Sequence, residues 1–362
     1  MLKYKRIVVK VGTKVITAED RKLDTGRIGE IASQISAVMD KGAEVILVTS
    51  GAIGAGMSIL KMKKRPADLT ELQATAAIGQ SHLMRLYGEY FKKRKINVGQ
   101  ILLTQEDFND RKRYLNIKHT INALLKHKAV PVINENDTVA TEEIKCGDND
   151  RLSSLVADLC GADMLIMLTD VDGLLDENGR TIESVGEITE GILKLGGKSR
   201  CDLGTGGMAT KIDAALAVTR AGIDCVIANG KTEMVLVRIL IKGENIGTAF
   251  KGRKEKFIAK KRWIAFSSKT KGAIRIDEGA EEALKKNKSL LASGIAAVEG
   301  SFDPGDVVAI TDASGKEVAR GVVSYSSAEV SKIKGMKTAD FKAALGYKGR
   351  DEVVHKDNLV IL

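Results

Sequence analysis

Short apolar runs recur along the first 250 residues, at 7–11, 45–48, 98–103, 130–133, 164–168 and 225–228. None alternates strictly between apolar and polar positions, which predicts strands buried on both faces, as in a parallel sheet covered by helices. Between them, apolar residues take helical spacing at 25–40, 70–93, 111–127, 150–160, 207–220 and 232–241. This alternation predicts an α/β fold: one doubly wound, mostly parallel sheet sandwiched by helices, with right-handed crossovers.

The rhythm breaks near residue 250. Residues 251–268 begin with a segment dense in Lys and Arg and read as a linker. Beyond it come Gly-Ala-Ile-Arg-Ile-Asp at 272–277, a helical stretch at 278–287 and two apolar runs at 307–310 and 318–323. The Asp-Ala-Ser-Gly turn at 312–315 makes the last two a hairpin. The expected organisation is a catalytic-sized domain over 1–250, the linker, and a small, mostly β domain over 269–362.

Composition changes this picture little. Of 362 residues, 44% are hydrophobic but only 4% aromatic, so Ile, Val, Leu and Ala must do most of the packing. No apolar run reaches the ~18 residues of a membrane span, and the first residues lack a leader's apolar stretch. Cys146, Cys160, Cys201 and Cys225 form no Cys-x-x-Cys pair, and the histidines are dispersed. A cytoplasmic protein without disulfides, a protein-built zinc site or membrane contact is expected. The net charge of +10 is uneven, with +7 on residues 251–362. Such a tail is a solvated basic surface or an attractor of nucleic acid.

Ligands of open α/β sheets collect outside the carboxyl ends of strands. Polar and glycine-rich clusters follow the apolar runs at those places. Lys-Val-Gly-Thr at 10–13 brings a lysine and a glycine that lets backbone approach a phosphate. Thr-Ser-Gly-Ala-Ile-Gly-Ala-Gly-Met at 49–57 exposes backbone N–H groups at a helix start, suited to a carboxylate or phosphate. Its G-x-x-G-x-G spacing is not the dinucleotide fingerprint. Asn-Glu-Asn-Asp at 134–137 and Gly-Asp-Asn-Asp at 147–150 combine carboxylates with amides. These residue types are also ordinary turn formers and N-caps; as ligands they suit an ammonium group or a metal-bound phosphate. Gly-Thr-Gly-Gly-Met-Ala-Thr-Lys at 204–211 opens a helix with glycines and a lysine, a phosphate cradle that is not the P-loop pattern. Thr-Asp-Val-Asp-Gly at 169–173 follows a strand and is a nucleotide contact or a turn. Two lysines, glycine cradles and acidic clusters suit phosphoryl transfer, which needs positioning and charge neutralisation more than covalent catalysis. No histidine falls at a strand end, so nucleophile triads lack support.

In these residues the sequence resembles the amino acid kinase family. The matching stretches are 9–13, 48–56, 132–137, 145–150, 168–170 and 204–211, and through Lys-Arg-Trp at 261–263 the likeness runs into a tail that resembles a PUA domain. It implies an ATP-dependent kinase with an amino acid kinase-like fold. Within the family the motifs are most similar to members that convert L-glutamate to L-glutamyl 5-phosphate, the first step of proline biosynthesis. The resemblance implies that Lys10 and Lys211 stabilise the transferring phosphoryl group and that Asp150 orients both. Ser50, Gly51, Asp137 and Asn149 would hold glutamate, with Asn134 and Asp148 nearby. ATP would lie on Lys10, Thr169, Asp170 and the run Thr205, Gly206, Gly207, Met208, Ala209, Thr210 and Lys211. Mg2+ would ride chiefly on the nucleotide phosphates, proline would inhibit, and the chain would assemble as a homodimer or tetramer. The rival readings are a related kinase acting on another amino acid, and an RNA-binding or RNA-modifying protein working through its tail.

Overall fold

The computed structural model describes residues 2–18, 22–140, 149–197, 207–253, 264, 270–347 and 349–361. Its first unit, Met1–Lys256, is built on strands β1 (Arg6–Val11), β2 (Glu44–Thr49), β3 (Val98–Leu103), β4 (Val130–Glu135), β5 (Met164–Thr169), β6 (Ser184–Val185), β7 (Asp224–Asn229) and β8 (Thr248–Phe250). Their order across the sheet is β3-β4-β2-β1-β5-β7-β8-β6. The six longer strands pair in parallel, and the short β8 joins antiparallel to β7. The sheet is the expected one, mostly parallel and buried on both faces. Val8, Val9, Ile46, Leu47, Leu165 and Ile166 are almost inaccessible to solvent.

The flanking helices are α1 (Thr25–Met39), α2 (Ala52–Ile59), α3 (Leu69–Lys92), α4 (Arg111–Lys126), α5 (Asp150–Cys160), α6 (Glu190–Leu195) and α7 (Met208–Arg220). Three begin where an aspartate satisfies the first-turn amides. Asp24 accepts from Arg27 N at 2.9 Å, Asp68 from Glu71 N at 3.0 Å and Asp110 from Arg113 N at 2.8 Å. Helix α2 is pressed against α3. A Cβ on Gly56 would lie 1.9 Å from Thr75 O, and one on Gly79 would lie 1.8 Å from Ala52 O. Only glycine permits that approach.

The helix expected over 232–241 is different. Met234 takes φ +51°, a short turn spans Val235–Val237, and residues Arg238–Lys242 wind as a π-helix. The segment answers to tertiary demands. Leu236 N donates to Gln34 Oε1 at 2.9 Å, while Val235, Leu236 and Leu240 enter the core. Strands β6 and β8 are too short to carry a period of their own and were not expected.

The second unit, Phe257–Leu362, carries β9 (Gly272–Ile276), β10 (Ile295–Gly300), β11 (Val307–Thr311), β12 (Glu317–Val322) and β13 (Leu359–Ile361), in the order β10-β9-β11-β12-β13. The expected hairpin is β11–β12; its turn closes through Asp312 N donating to Lys316 O at 3.0 Å, with Gly315 at φ +87°. Helices α8 (Glu278–Lys285), α9 (Ser327–Ile333) and α10 (Phe341–Leu345) accompany this sheet around a core that includes Ile274, Ile310, Val330 and Val353.

Candidate active site

Strand β1 lies in the middle of the sheet, between β2 and β5, where the chain switches sides. Its Lys10 stands in register with Val48 and Met167 and is only 1% exposed. An ammonium group there demands a counter-charge. Asp150, the first residue of α5 and itself fully buried, supplies it: Lys10 Nζ lies 2.6 Å from Asp150 Oδ1. The other carboxylate oxygen takes Lys211 Nζ, from the first turn of α7, at 3.0 Å. Thr210 Oγ1 donates to that same oxygen at 2.9 Å. One carboxylate thus sits between two buried ammonium groups, leaving the cluster cationic. A buried ion pair is weak evidence of a stabilising role, because desolvation offsets the attraction; two cations converging on one carboxylate suit an anionic ligand instead.

Asn149 occupies the N-cap position of α5 but makes no capping bond. Its amide nitrogen donates to the Thr49 carbonyl and to Asn134 Oδ1 at 2.7 Å, with Ser50 Oγ at 3.3 Å. Ser50 follows β2, and Gly51 takes φ +97° to start α2, whose first turn has no side-chain cap. Asn134 lies within β4, paired with Leu102 of β3, rather than in a loop after it. The carboxyl ends of β2 and β4 and the start of α5 are therefore tied together by amides.

Asp137 lies just past β4, and burial pushes its carboxyl up to about 6 although Arg65 opposes the shift. Arg65, in the loop before α3, has its own pKa lowered by burial. On the other side of β1, Thr169 closes β5, and Gly12 N donates to Leu168 O at 3.0 Å. Asp170 accepts from Lys14 Nζ at 2.8 Å. Burial raises its carboxyl, but the lysine and nearby hydrogen bonds outweigh that and hold it below the usual range. Gly207 sits at the N-cap of α7, and among the described residues no side chain caps the amides at the head of this helix.

Lys10, Ser50, Gly51, Asn134, Asn149, Asp150 and Lys211 are thus drawn to the carboxyl ends of the central strands, with Thr169 and Asp170 beside them on β5. Asp148, Thr205 and Gly206 lie outside the described residues. Sequence reasoning missed Gln80 and Tyr87. Both lie on α3, where Gln80 Oε1 accepts from Asn134 at 2.7 Å and Tyr87 OH lies 2.9 Å from Thr49 Oγ1. Their signal was a polar group at helical spacing within an otherwise apolar stripe that includes Leu72, Ala76 and Leu83.

Residues 5–229 match the model of the amino acid kinase family. The chain belongs to the amino acid kinase family. Residues 272–345 match the PUA domain, within the second unit. The chain is similar over 99% of its length to proteins named glutamate 5-kinase. One from Caldanaerobacter subterraneus subsp. tengcongensis is 52% identical, with 98% of it covered. Another from Thermoanaerobacter sp. (strain X514) is 50% identical with 98% covered, and one from Moorella thermoacetica is 47% identical with 96% covered. The protein is therefore a kinase, which implies use of ATP, and the reading of the whole chain as an RNA-binding protein is not favoured. Among the described residues no helix is long and apolar enough to cross a membrane.

Proposed function

We propose that this kinase transfers the γ-phosphoryl group of ATP to the side-chain carboxylate of L-glutamate, giving L-glutamyl 5-phosphate and ADP. The supporting observation is the buried Lys10–Asp150–Lys211 cluster at the carboxyl ends of the central strands. A carboxylate oxygen attacks the γ-phosphorus, the bond to the bridging oxygen of ADP breaks, and the electron pair leaves with ADP. Glutamate's carboxylate is already an anionic nucleophile, so no strong base is required. The obstacle is repulsion between two anions, which two ammonium groups and helix N-terminal amides relieve. Asp150 holds both lysines in place by ion pairs, so little reorganisation is needed as charge moves.

In this reading Ser50, Gly51, Asp137 and Asn149 hold glutamate, with Asn134 and Asp148 alongside, and Asp137 takes the substrate's ammonium group. Thr169, Asp170 and residues 205–211 hold the nucleotide. Bound Mg2+ would neutralise phosphate charge. Both Asp150 oxygens already face lysines, and among the described residues no three His, Cys, Asp or Glu side chains converge. Among the described residues, that donor set fits an ion carried by the nucleotide phosphates. By family resemblance the enzyme works in the cytoplasm as a dimer or tetramer. Proline, which shares glutamate's amino and carboxylate groups, inhibits it.

The test is ADP release with ATP, Mg2+ and a panel containing glutamate, aspartate, acetylglutamate and a nucleoside monophosphate. Turnover with another acceptor and none with glutamate overturns the reading.

A further inference from the structure

Helix α3 places one polar side chain where the site can use it. Gln80 is only 8% exposed, and its neighbour Gly79 lies against the Ala52 carbonyl in the first turn of α2. Gln80 thus stands between the uncapped start of α2 and the end of β4. The orientation of its amide is set by a backbone group that cannot be reversed. Glu135 N donates to Asn134 Oδ1 at 2.9 Å, so Asn134 turns its nitrogen toward Gln80 and donates to Oε1 at 2.7 Å. The remaining end of Gln80 is therefore Nε2. It is buried and has no hydrogen-bond partner among the described residues.

A buried donor without an acceptor carries a desolvation cost. It lies beside Asn134 and one link from Asn149, the amides given to the amino-acid substrate above. The lysine–aspartate cluster holds the cations suited to the phosphoryl group, so the acceptor that a neutral amide awaits here is a carboxylate oxygen. We propose that Gln80 is a further substrate-binding residue, whose Nε2 donates to a carboxylate oxygen of the bound amino acid. This rests on the glutamate reading of the site.

Gln80 also props Asn134, and two substitutions separate the roles. Gln80→Glu keeps an oxygen for Asn134 Nδ2 but replaces the donor with a second oxygen that repels a carboxylate. Gln80→Met removes both functions without adding charge. Glutamate Kd by calorimetry should rise about 10-fold in Q80M and about 30- to 100-fold in Q80E, the size expected for hydrogen bonds to a charged group. The KM for ATP should stay within about twofold, and kcat at saturating glutamate should change little, since this contact binds ground and transition states alike. A purely supporting role predicts the reverse order, with Q80E close to wild type and Q80M impaired, and that result overturns the proposal. Should Q80E fail to fold, an unchanged Kd in Q80M overturns it equally. If the unaltered enzyme is silent with glutamate, the glutamate reading fails by itself, and Gln80 is then judged by the same variants with whichever acceptor is turned over.

Discussion

The two units differ in what they bury. Among the described residues, the buried polar and charged side chains other than tyrosines lie in the first unit, from Lys10 to Thr248. Some merely bond their own helix, as Ser36 does to Ala32 O and Thr219 to Ala215 O. Lys10, Asp150 and Lys211 form one linked set, and Ser50, Asn134, Asn149 and Gln80 form another, joined to it through the adjacent residues 149 and 150. The second unit packs apolar side chains, with the Tyr325 hydroxyl bonded to the Arg350 carbonyl. Burying polarity costs free energy unless it is paired, and these two linked sets meet at the carboxyl ends of the central strands. Under the proposed function, phosphoryl transfer belongs to the first unit, which contains the residues matching the amino acid kinase family.

The largest effect should come from the ammonium groups. Lys10→Ala and Lys211→Ala should each lower kcat roughly 10²–10³-fold, the usual loss for one preorganised electrostatic contact, while changing the KM for glutamate far less. Steady-state kinetics showing under tenfold loss in both would break the assignment of chemistry to this cluster.

A smaller effect should follow at the substrate end. Asp137→Ala and Asn149→Ala should raise the KM for glutamate about tenfold and spare that for ATP, as expected for a contact made equally in ground and transition states. Because Asp137 titrates near 6, glutamate affinity should fall as the pH drops through that value and its carboxylate takes up a proton. The sign for stability is opposite. A folded value raised above 3.8 means that the folded protein holds the extra proton, so Asp137's contribution is present below 3.8 and lost as the pH rises through about 6. Glutamate affinity that is flat from pH 5 to 8 would remove Asp137 from the ammonium site.

The smallest effect should come from deleting the second unit. A fragment ending at Lys256 should fold and retain kcat with glutamate within about threefold, because it keeps the whole buried polar set and its own core. Circular dichroism and ADP release check this. A folded fragment without turnover would show that the second unit shapes the active site, and the division of labour would be lost.

Much of the first unit was legible because its signals are local. Runs such as 7–11 and 164–168 must be buried whatever surrounds them, and Gly51, at φ +97°, marks the sharp turn into α2. The tail's hairpin was readable from one turn between two apolar runs. Lys10 and Lys211, however, are 201 residues apart, and no period connects them. They meet because the sheet order puts β1 beside β5, because α5 packs on both strands, and because α7 packs on α5. An aspartate at a helix start is ordinarily a cap or a dipole partner, and an asparagine before it an N-cap. Only the tertiary structure turned Asn149 away from its own helix toward Thr49 and Asn134, and closed two lysines on Asp150. The same holds for Gln80 and Tyr87, hidden in the stripe of α3, and for residues 232–241, where packing displaced a regular helix. Periodicity along a chain records which residues avoid water. Which buried charges face one another depends on distances between elements far apart in sequence, and the fold alone sets those.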